Sequence, residues 1–212
     1  MKAIFSKFLF AGLAAIMVTA AAAGADIAPD QLAKTTTEEV LTLIRQDKEL
    51  QSGNQKKLLS LVEAKVLPHF DFIRMTRLAV GKNWRQATPA QQQSLVNEFR
   101  TLLVRTYTTA FRSYKNQTVE FKPFRMVPED TDVTVKTQII QPGAQPLAVD
   151  YSMQKTPAGW KVYDVVIEGV SLVTNYRGTF TAEIQKSGID GLIQTLAEKN
   201  RGAPPPAPGI KP

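Results

Sequence analysis

The sequence predicts an α+β protein with segregated layers, helices first, then a short antiparallel sheet, then helices again. Three observations carry this. Apolar residues recur at helical spacing from Asp26 to about Asn116, alternate with a period of two from Val119 to Ile167, and return to helical spacing from Val170 to Leu196. An alternating parallel fold would interleave the two periods instead.

In the first helical stretch, Val40, Leu41, Leu43 and Ile44 form one stripe. Leu58, Leu59, Leu61, Val62, Val66 and Leu67 form a second, with Gly53-Asn54 as the break between them. Pro68 ends or kinks that helix at Leu67, because it lacks the donor for a helical hydrogen bond and disfavours helical geometry in the residue before it. Thr88-Pro89-Ala90-Gln91 marks the start of a long helix: Thr88 can cap, Pro89 takes the tolerated first position and Gln91 can reach back to close a capping box. Its apolar face runs Leu95, Val96, Phe99, Leu102, Leu103, Thr106, Tyr107, Ala110 and Phe111, and must bury against something large.

Four strands follow. They hold Val119 and Phe121; Val133, Val135, Thr137 and Ile139; Leu147, Val149, Tyr151 and Met153; and Trp160 and Val162 with the neighbouring Tyr163, Val165 and Ile167. Short turns rich in Pro and Gly (Pro128-Glu129-Asp130, Gln141-Pro142-Gly143, Thr156-Pro157-Ala158-Gly159) join them as an antiparallel meander requires. The last strand is apolar on both faces, so it is either central or lines a cavity. The final helices carry Val170, Leu172, Val173, Tyr176, Phe180 and Ile184, then Ile189, Leu192, Ile193 and Leu196 after a break at Ser187-Gly188. The Pro-rich tail from Gly202 to Pro212 reads as disordered.

Residues 1–25 have the parts of a cleavable export signal: cationic Lys2 and Lys7, an apolar run from Phe8 to Val18, and Ala23-Gly24-Ala25 as the cleavage site. No cysteine follows that run, so no lipid anchor is expected there. Cleavage after Ala25 leaves 187 of the 212 residues, enough for one domain over 26–201. Within it, 26–116 is helical, 117–169 is sheet and 170–200 is helical again. The formal charge of +7 falls to +5 without Lys2 and Lys7, and the remaining charges are scattered along the chain. That balance suits a solvated surface or an anionic envelope partner, and an exported chain has no nucleic acid to meet.

The inventory of reactive groups is thin. There is one His and no Cys, so no metal-binding set can be assembled, and nucleophile elbows and phosphate-binding glycine loops are absent. His69, with Asp71 two residues on, could act as a general base or be a helix-edge residue bonded to backbone. Asp150, Asp164 and Glu168 could be buried carboxylates or hairpin residues. Large apolar side chains are plentiful, as a hydrophobic core or an apolar ligand cavity would need.

Three segments taken together resemble a known family. They are Val66-Leu67-Pro68-His69-Phe70-Asp71-Phe72 with Leu78 to Lys82 and Trp84 to Gln91; Gly159-Trp160-Lys161-Val162-Tyr163-Asp164-Val165 with Ile167 to Val173; and Asn175-Tyr176-Arg177 through Phe180 to Gly188-Ile189-Asp190-Gly191-Leu192-Ile193. In this order they resemble the MlaC family, the periplasmic phospholipid-binding component of the Mla system, over roughly Thr35 to Leu196. The resemblance implies an NTF2-like curved sheet of about four strands with a helical subdomain, enclosing an apolar pocket for acyl chains. It implies a monomeric periplasmic shuttle that carries phospholipid between an outer-membrane lipoprotein-porin complex and an inner-membrane ABC transporter complex with its substrate-binding subunit. Such a shuttle maintains outer-membrane lipid asymmetry, without catalysis, metal or cofactor other than its lipid cargo.

Under that reading the pocket walls are Phe72, Met75, Leu78, Phe99, Leu103, Tyr107, Tyr151, Trp160, Val162, Val166, Val170 and Val173. Arg77, Lys82 and Arg85 stand near the headgroup phosphate, which stays at the mouth in water. Two other readings are open: an NTF2-like enzyme using Asp150 or His69 in an apolar pocket, and an adaptor that joins envelope complexes without carrying anything.

Overall fold

The computed structural model describes residues 27–108 and 117–202. The export signal at 1–25, Ala110 and Phe111 of the long helical stripe, and the tail beyond Gly202 lie outside the described residues.

Among the described residues six α-helices form, four of them behind a capping side chain. α1 spans Pro29–Gln46 with proline in its first turn. The four-residue α2, Lys48–Gln51, starts on the Asp47 carboxylate, which accepts from the Glu49 and Leu50 amides. α3, Gln55–Lys65, starts on the Asn54 side chain. Val40, Ile44, Leu50 and Leu58 bury among these three helices as a small core of their own. Pro68 lies in a single tight turn, Leu67–His69, that ends the run.

Asp71 caps α4, Phe72–Val80. At the start of α5, Pro89–Thr108, the capping box closes in both directions: the Thr88 amide donates to Gln91 Oε1 at 3.0 Å, and the Gln91 amide donates to Thr88 Oγ1 at 3.2 Å. α6 runs Arg177–Arg201 and kinks at Gly188, whose φ of 72° and ψ of −175° suit a residue without Cβ. Met75, Leu95, Phe99, Leu103, Phe180 and Leu192 join α4, α5 and α6 into the helical core.

The strands are β1 (Thr118–Phe121), β2 (Asp132–Ile140), β3 (Leu147–Thr156), β4 (Gly159–Ile167) and β5 (Val170–Ser171), paired antiparallel in the order β1-β2-β3-β4-β5. The meander is the expected one, with a fifth strand added. A register shift between Ser152 and Met153 bulges the β3–β4 ladder and bends the sheet. The expected helical start at Val170 is corrected, because Glu168 and Gly169 form a two-residue turn with φ of 49° and 78° that folds the chain back as β5. A glutamate tolerates that conformation here because it is clamped. Its amide donates to Ala148 O at 3.1 Å, and its carboxylate accepts from the Ala148 amide.

β4 pairs with β3 along its length and with β5 only at Val166 and Ile167, so it is not a fully paired central strand. Elsewhere its free edge is met by the segment before α4: Phe70 bridges to Val162, and the Asp71 amide donates to Val162 O at 2.8 Å. Among the described residues, no helix is long and apolar enough to cross a membrane.

Candidate functional site

Strand register decides which side chains share a face. Val119 lies opposite Ile139, Val135 opposite Tyr151, Thr137 opposite Val149, and Val149 and Tyr151 opposite Ile167 and Val165. Past the bulge, Met153 pairs with Val162, and Trp160 follows on that face. This inner face is apolar, and Val135, Val149, Met153, Trp160, Val162, Val165 and Ile167 are buried in one cluster. The opposite face is polar, with Lys136 beside Asp150 and Thr134 beside Ser152.

What covers the inner face does not seal it. Leu32 and Ala33 of α1, Phe121 of β1, Phe124 and Met126 after it, Phe70 and Tyr107 pack against the cluster and are all only partly buried. Tyr151 is the informative residue. It lies deep enough that loss of water raises its phenol pKa, with a hydrogen bond to Thr137 pulling the other way, yet it keeps accessible surface. The inner face is thus an apolar wall that the surrounding elements cover incompletely.

Phe70 and Tyr107 pack against both the inner-face cluster and the helical cluster, and mark the junction of the two layers. A polar clasp ties the layers outside that junction. Arg74 Nη2 meets Asp132 Oδ2 at 2.7 Å, its guanidinium carbon stacks 3.4 Å above the centre of the Tyr163 ring, and Nη1 donates to Gln154. The Tyr163 hydroxyl donates to Asp132, and Gln154 donates to Asp71.

The structure divides the expected wall residues. Tyr151, Trp160 and Val162 lie on the inner face and Tyr107 at the junction. Met75, Phe99, Leu103 and Val173 are buried in the helical core, with Phe72 and Leu78 partly buried against it. Phe99 is fully buried and meets Tyr176 and Phe180 edge-to-face, so helix packing accounts for it. Two positions differ from expectation. Val166 is on the polar-side register, opposite Asp150 and Ser171, and Val170 is 43% exposed on β5. Arg77, Lys82 and Arg85 are exposed on α4 and the turn after it. Phe124, Met126 and Leu32 pack there without being expected, because they lie where no clear period marks a face, and Phe70, quoted in the first segment but not as a wall residue, joins them.

Two of the candidate acid–base groups, Asp71 and Asp164, are engaged structurally. Asp71 caps α4 with one oxygen and accepts from Gln154 with the other, which leaves it no role toward His69. Asp164 is buried, and burial raises its pKa against three donors, the Ser171 hydroxyl and the Val173 and Val165 amides, that lower it. These bonds hold β5 and the chain after it against β4. Among the described residues no group of acidic, His or Cys side chains could hold a metal ion.

Burial and then Lys161 push the His69 pKa below its ordinary value, opposed by Glu39. The folded chain therefore binds fewer protons than the unfolded one, and stability falls as pH drops through about 6.5. His69→Gln should flatten that part of the pH dependence in thermal melts between pH 7 and 5. An unchanged slope would assign it to another group.

Residues 34–198 match the family model described as MlaC protein. The chain is 23% identical over 189 residues to the intermembrane phospholipid transport system binding protein MlaC of Haemophilus influenzae, covering 88% of each. It is 24% identical over 182 residues to the toluene tolerance protein ttg2D of Pseudomonas putida, covering 82% of this chain and 84% of the relative. A solved structure, the phospholipid-binding protein from Ralstonia solanacearum in complex with a phospholipid, superposes with a TM-score of 0.74 at 44% identity, over 80% of this chain and 94% of that one. The first relative is named for phospholipid transport and binding, the second for toluene tolerance, and the solved structure for phospholipid binding. With a family match over most of its length, and three sequence segments pointing the same way, the chain belongs to the MlaC family.

Proposed function

We propose that this chain is an exported carrier of phospholipid that receives its cargo at one membrane complex of the envelope and delivers it to another. The acyl chains lie in the chamber between the inner face of the sheet and the helices, and the headgroup stays at the rim. The carrying observation is Tyr151, enclosed yet accessible on a wall of apolar side chains, in a chain 44% identical to a protein solved with a phospholipid. Each methylene moved from water into such a space gains about 0.8 kcal/mol, so two acyl chains supply ample driving force. The same gain would return an unprotected lipid to the nearest membrane, so a carrier must enclose its cargo.

No reaction is assigned. Asp71 and Asp164 are occupied in capping and anchoring, and His69 has no carboxylate partner in Asp71. Transit between an outer-membrane lipoprotein-porin complex and an inner-membrane ABC transporter complex, with maintenance of lipid asymmetry as its result, follows from the family resemblance. So does a periplasmic location after cleavage at Ala25.

The experiment is mass spectrometry of an organic extract from protein purified from the cell envelope without detergent. Diacyl phospholipid near one molecule per chain is expected. An empty extract from well-folded protein would transfer the weight to a non-carrying adaptor.

A further inference from the structure

Tyr107, near the end of the described part of α5, sits where the helical layer meets the inner face of the sheet. Its hydroxyl is closed off from water and has no hydrogen-bond partner among the described residues. The nearby carboxylate is taken. The Asp164 oxygens accept from Ser171, Val165 and Val173. Unpaired buried hydroxyls are uncommon and unfavourable, and in a functional chamber they ask for a partner that is not part of the chain.

We propose that the Tyr107 hydroxyl donates a hydrogen bond to an ester carbonyl oxygen of the bound lipid, brought in when the layers part to admit the cargo. Tyr107 thereby makes the carrier select acyl esters over alkyl ethers. This rests on the carrier reading above and adds a chemical preference to it.

The surroundings choose a neutral acceptor over a charged one. Burial, then the neighbouring Tyr176 and Asp164 oxygens, raise the Tyr107 pKa, so the phenol keeps its proton and is available as a donor. The negative surroundings that hold that proton also repel a phosphate. An ester carbonyl is uncharged and lies where the buried chains join the solvated headgroup, so it is the acceptor that an acyl chain carries into a dry space. A site built around a hydrogen bond rejects an analogue that lacks the bonding group far better than an apolar wall rejects a change of length.

The test loads delipidated protein from vesicles holding equal amounts of a diacyl phosphatidylcholine and its dialkyl ether analogue of the same chain length, and quantifies both lipids in the extracted complex. Wild-type protein should enrich the diacyl lipid about twofold to tenfold, the worth of one net hydrogen bond. Tyr107→Phe should load both equally, and the melting temperature of the delipidated variant should be unchanged or raised, since the hydroxyl it loses was unpaired. A wild-type protein with no preference, or a Tyr107→Phe variant that keeps it, overturns the assignment. A marked fall in melting temperature also counts against it, by revealing a structural partner for the hydroxyl. Folded wild-type protein that loads neither lipid overturns the carrier reading and this preference with it.

Discussion

Phe99→Ala should lower the stability of the delipidated protein by about 3–5 kcal/mol, the usual cost of removing a fully buried aromatic ring, while leaving the lipid load of each folded molecule unchanged. Phe99 has no exposed surface, and its ring meets those of Tyr176 and Phe180 edge-to-face with centroids 5.2 Å apart in both cases. Truncation therefore opens a void where α5 meets α6 and its preceding turn, and forfeits two aromatic contacts beyond the buried area. Urea titration and lipid quantification on the same preparation separate the two effects. Loss of cargo with a stability change under about 1 kcal/mol would move Phe99 from the core to the cargo wall.

Tyr151→Glu should abolish lipid loading, while Val170→Glu should load as wild type. The first places an unpaired carboxylate on the enclosed inner face, where bringing in hydrocarbon would strip its water at a cost of several kcal/mol. The second adds a charge to a side chain already 43% exposed at the sheet edge, where it remains solvated. Circular dichroism should report folded protein in both cases, since the Tyr151 site retains accessible surface. Wild-type lipid stoichiometry in a folded Tyr151→Glu variant would remove the inner face from the cargo site.

The contrast between these two positions tells how far the sequence could be read. Local signals were sufficient for the elements: Thr88 and Gln91 cap α5, Pro68 ends the first helical run, Gly188 breaks the last one, and the period-two runs are the strands. Faces and partners needed register, which is a long-range property. β4 carries apolar residues on successive positions, so Val165 and Val166 look alike in sequence. Only pairing with Tyr151 and Asp150 respectively puts the first inside and the second on the other face. β5 was missed because Glu168-Gly169 lacks the usual Asn-Gly signature of a two-residue turn, and the glutamate is held at positive φ by Ala148, a contact 20 residues away. The long-helix residues were recognised as buried, but spacing along one helix cannot say whether the surface it meets is another helix or a cargo space.

The ends of the sheet bear on a different matter, the fate of the protein when many copies are crowded together. A sheet with one apolar face and open margins is a template for intermolecular strand pairing, and a carrier that repeatedly uncovers its interior runs that risk on every cycle. Here one margin is β1, only four residues long and carrying Glu120, with Lys122 just beyond it. The other margin is divided between the two residues of β5 and the Phe70–Asp71 bridge to Val162, so it leaves no long run of unpaired backbone for a second chain. Short and interrupted margins make the sheet a poor template for a second chain.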